Sequence, residues 1–212
     1  MAPMNQTAQA RRSQAERRDE SQRGLLRAAA EVIAGQGVGA ATFEAIGARA
    51  GYSRGLATQR FGSKQGLIEA LIADLHERQN ALLAAIEIDA LPGLDAVLRY
   101  VDLFLHDLHL EGEARAYFML LASAVADLSS LRTAFADSHE RVRVLLKAMV
   151  ARGQAEGNVR SEVDPDAAAL MVGSLLLGLS MQCLVDPAMD VEPIRRTSLA
   201  TLRLSFEATP PA

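Results

Sequence analysis

An all-α fold is predicted for this chain by three features of its 212 residues. Half of them are hydrophobic while only 4% are aromatic, and the abundance of Ala and Leu suits helices better than sheets. Apolar residues recur three and four positions apart through about nine segments. Proline is scarce outside the termini and the expected loops.

The first twenty residues carry charge where a signal peptide would need an apolar core of about 7 to 15 residues, so export is not indicated. They read as a flexible basic arm, either a solvated tail or a run of cations, Arg11, Arg12, Arg17 and Arg18, able to follow a groove. The first helix is expected over 21–35, where Leu25, Leu26, Ala29, Val32 and Ile33 share a face. The run GQGVGA at 35–40 then breaks it with three glycines.

Residues 42–64, TFEAIGARAGYSRGLATQRFGSK, hold two short helices, a glycine turn and a cationic edge. Thr42 can cap a helix whose Phe43, Ile46 and Ala50 fall on one face, and Glu44 lies in its first turn, where the macrodipole favours a carboxylate. Gly51 ends that helix, since glycine adopts the left-handed C-cap without a Cβ clash. Ser53 caps a second helix reaching about Phe61, and so short a turn crosses two helices steeply, as in a helix-turn-helix. Arg54, Thr58, Gln59 and Arg60 then share an outward face. Arginine can fork onto guanine or phosphate, glutamine can pair with adenine, and Gly55 admits close backbone approach. Ser63 and Lys64 open a further helix whose free N–H groups and ammonium suit a phosphate.

From Arg23 to Leu71 the chain resembles the TetR family of bacterial transcriptional regulators. The resemblance rests on LLRAAAEVIAGQG at 25–37, Thr42, Ile46, the A-G-x-S-R-G run at 50–55, Phe61, and S-K-x-x-L at 63–67. So many matches at fixed spacing over about fifty residues make a specific signal. Two departures stand out: Gly47 occupies a position where the family usually has Ala, and Thr58 one where it commonly has Tyr. The first weakens a helix by roughly 1 kcal/mol at most. The second removes an aromatic hydroxyl that commonly touches phosphate. With the family pattern added, the expected DNA contacts are Thr42, Ser53, Arg54, Gly55, Thr58, Gln59, Arg60 and Lys64.

Beyond the helix-turn-helix, helical spacing continues over 63–88 through Leu67, Ile68, Leu71, Ile72, Leu75, Leu82, Leu83 and Ile86. Leu91-Pro92-Gly93 ends that helix and the next is expected over 94–111, with Leu98, Val101, Phe104, Leu105 and Leu108 inside. Further helices are expected over 114–127 and 130–156, the latter burying Phe135, Val142, Leu145, Leu146 and Met149. Pro165 suits a first helical position and opens a segment over 166–185, and 192–206 closes the fold. The domains so read are a basic arm at 1–20, a DNA-binding domain at 21–66, an effector-binding and dimerisation domain at 67–208, and a tail at 209–212.

The net charge of −4 hides an asymmetry: residues 1–64 hold ten Lys/Arg against five Asp/Glu, and the remainder twelve against twenty-one. The basic end suits a polyanion that the acidic remainder would repel, which orients the molecule. One cysteine, Cys183, excludes an intramolecular disulfide and a cysteine zinc cluster, and fits a reducing cytoplasm. Asp102, His106 and His109 lie at metal-ligand spacing on one helix, but opposite its apolar face, which reads as a solvated polar stripe. No nucleophile elbow, P-loop, dinucleotide fingerprint or HExxH motif occurs, so no enzyme activity, metal or cofactor is indicated.

A cavity between the middle helices is expected to draw on Phe104, Leu108, Arg115, Tyr117, Phe118, Met119, Met149, Met171 and Leu175, with Tyr117 or Arg115 as the polar handle for an unidentified small-molecule effector. Residues 167–185 form an uncharged stretch long enough to span a membrane, but carboxylates sit at its ends and no aromatic or cationic anchors flank it. Resemblance to the family implies instead that the last two helices pair with a second copy as a four-helix bundle. Met171, Ser174, Gly178, Met181, Gln182, Leu199, Leu202 and Phe206 are then the expected interface. The whole reads as a cytoplasmic homodimeric repressor, released from a palindromic double-stranded operator by its effector. The alternative is a helical small-molecule-binding protein or enzyme whose N-terminal helices are only structural.

Overall fold

The computed structural model describes residues 14–106, 108, 112–127 and 130–208. Among them are nine α-helices: α1 (Gln14–Gln36), α2 (Phe43–Ala50), α3 (Arg54–Phe61), α4 (Lys64–Ala85), α5 (Gly93–His106), α6 (Gly112–Ala126), α7 (Leu131–Ala155), α8 (Pro165–Val185) and α9 (Glu192–Phe206). Short 3-10 turns at Val38–Ala40 and Ile88–Ala90 lead into α2 and α5. The all-helical expectation is met. Arg11, Arg12, His109 and the TPPA tail lie outside the described residues.

Helix α1 starts at Gln14, so residues 14–20, expected within a flexible arm, are helical instead. Their sequence, QAERRDE, contains good helix formers, with Glu16 in the first turn where the dipole favours it. Ser21 is buried, and its hydroxyl donates to the Arg18 carbonyl at 2.8 Å, which fastens this turn to the part of α1 that packs on the core.

Helices α1, α2 and α3 and the first turns of α4 form a head around Leu25, Leu26, Ala29, Ile33, Ile46, Ala57, Leu67 and Leu71, all essentially sealed from solvent. Each such leucine or isoleucine contributes roughly 1.5–3 kcal/mol through burial. The body is built on α7, which packs along α8 and α5, while α9 packs on α5. Helix α1 also lies against α6, where Arg115 Nε donates to the Ala34 carbonyl at 3.2 Å and so ties the body to the end of α1.

Helix α5 has no hydroxyl or carboxylate cap of its own. The α7–α8 connection supplies one: Glu156 accepts from the Gly93 N–H at 2.7 Å and Asn158 from the Leu94 N–H at 3.0 Å. The Gly93 N–H, helped by the Asn158 side-chain amide, which also donates to this carboxylate, holds the Glu156 carboxyl below its ordinary pKa. The same connection clasps the end of α9, since the Arg160 N–H donates to Phe206 and the Ala208 N–H to Asn158.

Candidate nucleic-acid interface

The turn between α2 and α3 is built as its sequence dictates. Thr42 accepts from the Ala45 N–H at 3.1 Å and Ser53 from the Leu56 N–H at 3.2 Å, so each helix receives its N-cap. Gly51 takes the left-handed conformation at φ 75° and closes α2. Gly47 acquires a role beyond lowering helix propensity. A Cβ there would stand 2.9 Å from the Tyr52 carbonyl oxygen, so its absence lets the turn lie directly on α2.

Only Ala57 of α3 is fully buried, which roots the helix in the head. Arg54, Gly55, Thr58 and Gln59 stand together in solvent on the opposite side. Thr58 donates its hydroxyl to the Arg54 carbonyl at 3.0 Å, leaving its lone pairs and methyl group outward. Thr42 and Ser53 are exposed, and after accepting their capping bonds they keep an O–H hydrogen for a phosphate oxygen. Lys64, exposed at the start of α4, donates one ammonium hydrogen to the Val38 carbonyl at 2.8 Å and keeps two.

Arg60 departs from the expectation. Its guanidinium turns back onto α1, where Nη2 donates to the Ser21 hydroxyl at 3.3 Å and Nε is buried without a hydrogen-bond partner. The cause is register: Arg60 falls three residues after the buried Ala57 and so lies at the edge of the packed face.

In the body, a cavity of about 340 Å³ opens between α5, α6, α7 and α8. Phe104, Tyr117 and Phe118 line it as expected, joined by Tyr100, Val142, Ala169, Leu176 and Leu177. The aromatic rings meet edge to face, Tyr117 with Phe118 at 5.2 Å and Phe104 with Phe118 at 6.3 Å between centroids. At its mouth Arg143 bonds both oxygens of Glu140, at 2.6 and 2.7 Å, and also reaches Asp166. Gln79 of α4 lines the cavity too and donates to the Tyr100 hydroxyl at 3.0 Å. Burial pushes the Tyr100 phenol up to about 12.

Six of the expected cavity residues lie elsewhere. Met149 is sealed in the core, Met171 is 48% exposed on the outer side of α8, and Arg115 is turned onto α1. Leu108 lines an adjoining hollow of about 300 Å³ behind Phe104 and Phe118. Met119 and Leu175 are half-buried and pack against the core rather than facing the cavity. Tyr100 and Gln79 were missed, although Tyr100 precedes Phe104 by one helical turn and the chain has only three tyrosines.

Two expected interface residues are corrected as well. Leu202 and Phe206 are buried within this chain because the apolar stripe of α9 is consumed by α5. Leu199 is half-buried, whereas Leu204 is 78% exposed and faces outward. On α8, Met171, Ser174, Gly178 and Gln182 are exposed in one stripe with Leu170 and Val185, and Met181 lies at its border. By length and composition α8 is the one described helix that could cross a membrane; it packs chiefly on α7, and Ala168, Ala169, Val172 and Leu176 are among its buried residues. Asp102, expected on a solvated polar stripe, is paired with Arg99 at 3.2 Å and with Arg195.

Comparison with known proteins agrees with this anatomy. Residues 25–71 match the profile of bacterial regulatory proteins of the tetR family, and residues 94–206 match that of the C-terminal part of BetI-type transcriptional repressors. The HTH-type transcriptional regulator TtgR of Pseudomonas putida is 29% identical over 203 residues, covering 90% of this chain and 95% of TtgR. A TetR transcriptional regulator from Chloroflexus aurantiacus has the same fold with a TM-score of 0.77 at 18% identity, over 91% of this chain and 99% of its own. NalD, the secondary repressor of the MexAB-OprM multidrug efflux pump in Pseudomonas aeruginosa, superposes with a TM-score of 0.68 at 19% identity, over 92% and 100%.

Proposed function

The chain belongs to the TetR family of bacterial transcriptional regulators, and from that premise we propose that it is a cytoplasmic homodimeric repressor whose α3 helices read a palindromic operator and whose body cavity takes the releasing effector. The observation that carries this reading is the exposed cluster Arg54, Gly55, Thr58 and Gln59 on a helix rooted by Ala57. With α3 in a major groove, Arg54 and Gln59 reach base edges while Thr42, Ser53 and Lys64 hold the phosphates on either side. Arg60 acts from behind, seating α3 on α1.

The effector fits a cavity whose walls are aromatic and aliphatic and whose mouth charges already neutralise one another. An apolar small molecule with a polar end suits such a site, and its volume lies within the range of small-molecule pockets. Only differential affinity can release DNA, so the effector binds better to the arrangement in which the two heads are set wrongly for the operator. The alternative, a helical enzyme with purely structural N-terminal helices, gives no account of a solvent-facing reading surface on α3.

Operator fragments selected from genomic DNA provide the test. Arg54→Ala and Gln59→Ala should each weaken binding by about 1–3 kcal/mol in fluorescence anisotropy, with relaxed sequence preference. Arg60→Ala should cost less than either. Equal affinity of wild type and Arg54→Ala for the selected fragment would remove α3 as the reading helix.

A further inference from the structure

Helix α4 leaves the head at Lys64 and packs on α7 of the body before the turn that leads into α5, so its attachment bears on how the body positions α3. Its apolar anchors sit in two groups, Leu67, Ile68, Leu71 and Ile72 in the first turns and Leu83 near the end. Between Ile72 and Leu83 no side chain of α4 is buried. In that middle stretch Leu75 packs half-buried against the core, and the remaining contacts to the body are polar. Gln79 donates to the Tyr100 hydroxyl of α5 at 3.0 Å. The His76 ring meets the hydroxyl of Ser138 on α7 at 2.5 Å, and the same hydroxyl meets the Tyr117 phenol of α6 at 2.7 Å. Ser138 is wholly buried, so water does not replace either bond. Both chains of hydrogen bonds therefore end on phenols, and both phenols line the cavity.

We propose that the Tyr100 and Tyr117 hydroxyls are the positioning groups through which occupancy of the cavity is read by α4, Tyr100 directly through Gln79 and Tyr117 through Ser138 and His76. This rests on the cavity being the effector site. An occupant that turns either ring moves its hydroxyl away from a directional partner. Hydrogen bonds weaken steeply with misalignment where apolar contacts would slide, so a small ring movement releases the middle of α4. Arg78, bonded to Asp74 within α4 and to Glu113 at the start of α6, holds the helix from the solvent side and leaves the cavity-facing bonds to decide its pitch.

The test is amide hydrogen exchange on the full-length protein without any ligand, comparing wild type with Tyr100→Phe/Tyr117→Phe, which deletes two hydroxyls and keeps both rings. Exchange should rise about threefold to tenfold over residues 74–82 while α8 and α9 stay unchanged. Ser138→Ala should reproduce the Tyr117 share, and His76→Gln, which keeps a donor for Ser138, should restore protection that His76→Phe loses. Unchanged exchange over 74–82, or a rise spread evenly through all helices, overturns the proposal. The effector reading stands or falls separately. Gly173 lines the cavity and a Cβ there meets nothing within 4 Å, so Gly173→Leu should fill the cavity and weaken operator binding. Full operator affinity in that variant would count against the cavity as the effector site, whatever α4 does.

Discussion

His76 shows how a single half-buried ring couples this fold to pH. Burial is the main reason its pKa lies below the ordinary value of about 6.5, and Arg141 and His139 add to the effect. As pH falls, the unfolded chain binds a proton before the folded one does, so the contribution of His76 to stability is complete above about 6.5 and is lost as pH drops through the lower folded value. Urea midpoints should therefore decline from pH 7 towards pH 5 in the wild type, and His76→Gln should lessen that slope. Identical slopes for the two proteins would show that the ring is not desolvated as described. Arg60 carries a second lesson at this scale. Its residue type and spacing matched a base reader, but its side chain was claimed by Ser21 across the head, a contact between residues 39 apart that no local pattern signals.

At the scale of elements, the crossing of α5 and α7 depends on two glycines. A Cβ on Gly93 would stand 2.1 Å from the Gly153 backbone nitrogen, and one on Gly153 would meet Val159 at 2.5 Å. Neither backbone can yield without moving the Glu156 and Asn158 bonds that cap α5. Gly93→Ala should therefore destabilise the protein by about 1–3 kcal/mol or more, read as a lower urea midpoint. An unchanged midpoint would mean that the helices can part at no cost. The described helices themselves were legible, because apolar spacing, the caps Thr42 and Ser53, and Pro165 at a first helical position all act within a few residues. Their faces were less so. The stripe Leu199, Leu202 and Phe206 was correctly apolar, yet whether it meets α5 or a second chain is a tertiary matter. The cavity was half legible for the same reason: Phe104, Tyr117 and Phe118 carried a signal, whereas Met149 and Met171 are equally apolar and point to the core and to solvent.

For the whole molecule, charge and exposed apolar surface both support the proposed dimer on DNA. The basic head and acidic remainder orient each copy, and α8 presents an uncharged stripe from Leu170 to Val185 that a second copy would cover. Ser174→Arg, placed in the middle of that stripe, should yield monomers in light scattering and weaken operator binding, since one head alone makes half the contacts. A dimer that survives the substitution would place the interface elsewhere. The most direct measurement is hydroxyl-radical footprinting of the wild-type protein on a selected genomic fragment. Two symmetric protected patches, centred about one helical turn (~34 Å) or somewhat more apart and both fading as salt is raised, are the expected result. A single patch, or no salt-dependent protection on any fragment, would contradict a paired reading head built on α3.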